Sequence, residues 1–132
     1  MDILETQKAV HLTAQQHGWW DTADDCNVPT KLALIHSEVS EALEDFRSGK
    51  LGLVFLYRDP ADGKLKRLTP AEAVEAETEE SKKPVGFGIE LADAMIRIMD
   101  LAEWMDIDLD HFIRVKMTYN ETRPMRHGGK AV

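Results

Sequence analysis

The chain has 132 residues, 43% of them hydrophobic, a single cysteine and a formal net charge of −8. These values suit one folded domain with one core. They argue against a disordered chain, a sequence-independent nucleic-acid binder and a partner at an anionic membrane surface.

In chain order, Ile3, Leu4, Val10 and Leu12 among polar neighbours predict a first helix over about residues 2–17, ended by Gly18. The opening MDILETQKAV lacks the basic and apolar regions of a signal peptide. GWWDTADDCNVP reads as a loop with two adjacent tryptophans, and its Cys26 permits no internal disulfide. Pro29 suits the first turn of a second helix that runs to about Arg47 and stops at Ser48-Gly49. LGLVFLYRDPADGKLKRL changes period, and two short strands around DPADG predict a β-hairpin. Thr69-Pro70-Ala71-Glu72 resembles a capping box. The charged AEAVEAETEESKK that follows reads as a short exposed helix or a linker. A third long helix is expected over about residues 88–105, and a fourth, capped by Asp108, over about residues 109–122. Pro124 prevents its continuation, and MRHGGKAV reads as a loop. No run of about 18 apolar residues offers a membrane span, so a cytoplasmic, reducing compartment is expected. The sum is an all-α, four-helix bundle in one domain, with residues 51–84 inserted as a hairpin and a charged segment.

The second helix carries an apolar stripe of Leu32, Ile35, Val39, Ala42, Leu43 and Phe46, with Leu34, Glu38, Glu41 and Asp45 beside it. Positions three or four apart are neighbours on a helix, so Glu38 and Glu41 point together. At an effective dielectric of about 20 and about 4 Å, that repulsion is roughly 4 kcal/mol. The third helix is apolar almost all round, yet Glu90, Asp93, Arg97 and Asp100 share one narrow strip. Packed face to face, Glu38, Glu41, Glu90 and Asp93 would have to protonate, separate or share a cation. Oxygen ligands without His or Cys favour Mg²⁺, or Mn²⁺ in its place, over zinc. A solvated acidic face, with Arg97 pairing Asp93 or Glu90 along its own helix, is the alternative.

On the fourth helix, Lys116, Asn120 and Arg123 share the face of Leu109, Phe112 and Ile113, which is expected to point inward. Two cations and an amide aimed at an acidic metal site suit a polyphosphate; the alternative is that both cations snorkel past the core. His127 and Lys130 in the tail extend the candidate phosphate set. Trp19 and Trp20 are candidate stacking surfaces for a base, with core packing as the alternative.

HSEVSEALEDF followed by GIELADAMIRIMD resembles the MazG-like, all-α nucleoside triphosphate pyrophosphohydrolases, which include dimeric dUTPase- and dCTPase-type members. Their Glu-x-x-Glu and Glu-x-x-Asp motifs fall here on Glu38, Glu41, Glu90 and Asp93. KMTYNETRPMRHGGK resembles the family's substrate-binding ending, through Lys116 and Asn120 with Arg123 beside them. The segment between Glu41 and Glu90 is longer than is usual in that family. The resemblance implies Mg²⁺-dependent cleavage between the α- and β-phosphates, with the four carboxylates as metal ligands and catalytic groups. It also implies a homodimer or dimer of dimers, and no nucleic-acid polymer or membrane as partner. A phosphoribosyl-ATP pyrophosphohydrolase and a non-catalytic helical interaction module are the competing readings.

Overall fold

A computed structural model describes residues 2–51, 56–68 and 84–125. Helices dominate them: α1 (Ile3–Gln16), α2 (Val28–Arg47), α3 (Phe87–Trp104) and α4 (Leu109–Glu121). Between α2 and α3, β1 (Leu56–Arg58) and β2 (Leu65–Arg67) pair antiparallel, with Tyr57 opposite Lys66. The expected helix boundaries hold to within a residue or two, because the capping chemistry is local. Asp2, Asn27 and Asp108 each accept a hydrogen bond from the backbone N–H three residues on, at 3.0 Å. Gly18 ends α1 with φ at +75°, where a Cβ would lie 2.9 Å from an Asp21 carboxylate oxygen. The Thr69–Glu72 box, the charged segment after it, His127 and Lys130 lie outside the described residues.

The chain divides into two compact units, Met1–Cys26 with Met99–Val132, and Asn27–Ile98. In the first, α1 packs on α4 and on the end of α3. Its core holds Ala14, Met99, Leu101 and Ala102, and its most deeply buried large side chain is polar. That side chain is Gln7, whose amide nitrogen donates to Glu103 at 2.8 Å and to the Ile107 carbonyl at 2.9 Å. Its amide oxygen accepts from the Leu109 N–H at 3.4 Å. One glutamine thereby satisfies the backbone of the turn between α3 and α4, a turn that also holds Asp106 at φ +57°.

α4 departs from expectation. Its Leu109–Phe112–Ile113 face was expected to point inward, but no residue of the helix is buried and Phe112 is 60% exposed. α1 covers only its start, where Leu109 and Asp110 are half-buried.

In the second unit, Ala42 of α2 and Ala94 of α3 are buried, and Phe46 lies 6.4 Å from Phe87, ring to ring. The Phe87 N–H donates to the Lys50 carbonyl at 3.2 Å, which ties the start of α3 to the chain leaving α2. Of the acidic strip of α2 only Glu38 is buried, at 7% exposed, while Leu32, Val39, Leu43 and Phe46 of the apolar stripe are all exposed. No described helix is long and apolar enough to cross a membrane.

Candidate metal centre

Glu38 reaches the centre from the middle of α2, and Glu90 and Asp93 reach it from the first turns of α3. The three-residue step between Glu90 and Asp93 puts both on one face. One carboxylate oxygen from each of the three residues lies within 4.8 Å of the others. Glu38 is buried, and the other two are half-buried.

Glu41, one turn after Glu38, is exposed and lies outside this three-oxygen group, but its carboxyl hydrogen-bonds Glu90. A hydrogen bond between two carboxyl groups needs a proton on one of them. Burial, first, pushes Glu90 up to about 7; the bond to Glu41 and the charges of Glu41, Asp93 and Asp45 push in the same direction. Asp45 in turn has Lys50 at 3.7 Å.

Arg97 does not pair with Asp93 or Glu90 along its own helix. Its Nε donates across to Glu38 Oε1 at 2.6 Å. A nearly buried carboxylate gains more from a cation than one open to water, and the long arginine stem reaches it. The spacing of residues along α3 carries no sign of this partner.

Asp100 continues the polar strip of α3 but serves the other unit. It accepts from Trp20 Nε1 at 2.9 and 3.1 Å, and its Oδ1 lies 2.7 Å from His11 Nδ1. Trp20 stacks on Trp104 at 5.0 Å and 15°, so one face of its indole is covered. Trp19 is 53% exposed, with His17 at 6.1 Å. Lys116 and Arg123 flank the Tyr119 ring at 4.8 and 5.7 Å; Lys116 and Asn120 are exposed and Arg123 is half-buried. Gln7, His11 and Trp104 have structural roles that periodicity alone does not reveal.

The donor set fits a hard divalent cation. Glu38, Glu90 and Asp93 offer oxygen only and converge from two helices, and the Arg97 guanidinium pairs with Glu38. Comparison of the chain with protein-family models, curated proteins and solved structures gives no match.

Proposed function

We propose that this chain is a Mg²⁺-dependent nucleoside triphosphate pyrophosphohydrolase of the MazG-like, all-α type, acting on the cytoplasmic nucleotide pool. The observation that carries the reading is the convergence of Glu38, Glu90 and Asp93 within 4.8 Å in a half-buried setting. Burial of three like charges works against folding unless a cation or a proton joins them.

Glu38, Glu90 and Asp93 would hold Mg²⁺, with Glu41 completing the set through its bond to Glu90. Bound there, the ion supplies Lewis-acid polarisation of phosphoryl oxygens and charge neutralisation. The protein's own part is to orient the carboxylates and to handle a proton. Without a cation Glu90 is pushed up to about 7, so its proton has to leave before the carboxylate can ligate Mg²⁺. In hydrolysis the water oxygen bonds to phosphorus, the bridging P–O bond between the α- and β-phosphates breaks, and the proton lost by water ends on a carboxylate or phosphate oxygen. Lys116, Asn120 and Arg123 are the proposed polyphosphate contacts, with His127 and Lys130 from the tail. Trp19 and Trp20 are the proposed base-stacking residues, Trp19 being the more exposed of the two indoles.

The exposed stripe of Leu32, Val39, Leu43 and Phe46 supports a homodimer, or a dimer of dimers, as the working form. The test is hydrolysis of a panel of ribo- and deoxynucleotides, dUTP and dCTP included, with and without Mg²⁺, scoring pyrophosphate and orthophosphate separately. Mg²⁺-dependent pyrophosphate release is expected. Its absence from folded protein with every nucleotide would overturn the reading and leave the interaction module.

A further inference from the structure

Arg97 is joined directly to the three-carboxylate group through Glu38, and its geometry leaves most of its donors unused. Only Nε bonds Glu38; neither terminal nitrogen makes a hydrogen bond among the described residues. A guanidinium carries five N–H donors in a fixed plane, so anchoring one edge fixes where the others point. Exposure gives the direction. The Glu38 side chain is 9% exposed and that of Arg97 39%, so the carboxylate lies on the closed side of the pair and the guanidinium on the open side. Arg97 also stands four residues after Asp93, on the same face of α3.

We propose that Arg97 is a phosphate-binding residue of this centre: Glu38 anchors its Nε, and its terminal nitrogens take oxygens of the polyphosphate held there. The inference rests on the proposed function. Two physical arguments support it. A carboxylate cluster balanced for Mg²⁺ alone gains nothing from the open edge of a guanidinium fork, whereas a phosphate group matches that edge with two oxygens. The Glu38 carboxylate has lone pairs for both an arginine and a metal ion, so the two roles do not compete for one atom. A lysine at this position would supply charge but could not bond Glu38 and a phosphate through one rigid plane.

The experiment is calorimetric titration of the full chain, first with Mg²⁺ alone and then with inorganic pyrophosphate at saturating Mg²⁺, for the wild type, Arg97→Met and Arg97→Lys. Loss of charge-assisted hydrogen bonds should weaken pyrophosphate binding by about 10- to 100-fold in Arg97→Met, with partial recovery in Arg97→Lys. Mg²⁺ affinity should stay within about threefold, since the cation removed is not a metal ligand. Pyrophosphate binding within about twofold of wild type in Arg97→Met would overturn the inference while leaving the metal centre standing. So would a fall in Mg²⁺ affinity large enough to account for the whole effect. Wild-type protein that binds no Mg²⁺ would overturn the proposed function and this inference together. If circular dichroism shows Arg97→Met unfolded, Arg97→Lys and Arg97→Gln carry the same comparison.

Discussion

Glu90 is the group through which pH should reach the centre. Its pKa rises from 4.5 to about 7, chiefly through burial and through its hydrogen bond with Glu41. A carboxyl raised on folding binds its proton more tightly in the folded chain. Its stabilising proton is fully present below about pH 4.5, and stability then declines as pH rises to about 7, with no further change above. A rise of about 2.5 at ~1.4 kcal/mol per pH unit bounds the effect at about 3.4 kcal/mol. Glu90 is only half-buried, and solvent screening reduces this to about 1–2 kcal/mol. Urea unfolding of metal-free protein between pH 5 and 8 should show that loss in the wild type but not in Glu90→Gln, and the difference between the two isolates Glu90 from the histidines. Under the proposed function, Mg²⁺ must displace the same proton. Titration at pH 6 in buffers of different ionisation enthalpy should therefore report proton release, and Mg²⁺ affinity should rise with pH and level off above about 7. Parallel pH profiles for wild type and Glu90→Gln, with no proton released on Mg²⁺ binding, would refute the account.

Three further outcomes test other parts of the structure. Under the proposed function, Glu38→Gln and Asp93→Asn should each lower Mg²⁺-dependent hydrolysis by about three orders of magnitude while leaving the far-ultraviolet dichroism unchanged; near-normal turnover in either would sink the ligand assignment. Gln7→Leu should cost about 1–3 kcal/mol in urea unfolding, because it removes the partner of the Ile107 carbonyl and the Leu109 N–H at a half-buried turn. A loss under about 0.5 kcal/mol would mean that water takes over those bonds. Val39→Glu with Phe46→Glu should shift the light-scattering mass from dimer to monomer and leave Mg²⁺ affinity within about threefold. A monomeric wild type at micromolar concentration would remove the dimer from the reading.

Much of the architecture was legible in the sequence because its signals are local. Asp108 marks a helix start by a hydrogen bond three residues long, Pro29 suits the first turn of α2, and DPADG marks the hairpin without reference to the rest of the chain. The carboxylate pairs were legible for a related reason, since a three-residue step places both members on one helix face. Contacts between elements were not. Arg97 has two acidic neighbours within a helical turn and chooses a third on another helix, a choice that depends on how deeply Glu38 is buried. Gln7 looks like a surface residue in a polar helix, and only the unsatisfied backbone of a distant turn explains its burial. Glu41 shows the limit from the other side: it shares the motif with Glu38, yet stays exposed and meets the centre through Glu90.

The orientation of α2 joins the charge problem to the apolar one. Burial of apolar surface contributes about 25 cal/mol per Å², so an isolated helix with this sequence would be expected to turn Val39, Leu43 and Phe46 inward and leave Glu38 in water. The opposite arrangement holds: Glu38 is 7% exposed, while Val39, Leu43 and Phe46 are 54%, 48% and 56% exposed. Two compensations are visible within the chain, the Arg97 guanidinium on Glu38 and the proton that Glu90 retains toward neutrality. Neither offsets the exposed stripe, which lies beside Glu38 on the same helix. The proposed function supplies what is missing on both sides: a divalent cation for the inward carboxylates and a second copy of the chain for the outward leucine, valine and phenylalanine. On that reading Glu38 is held inward by the requirements of catalysis, and the energy for holding it there comes from association.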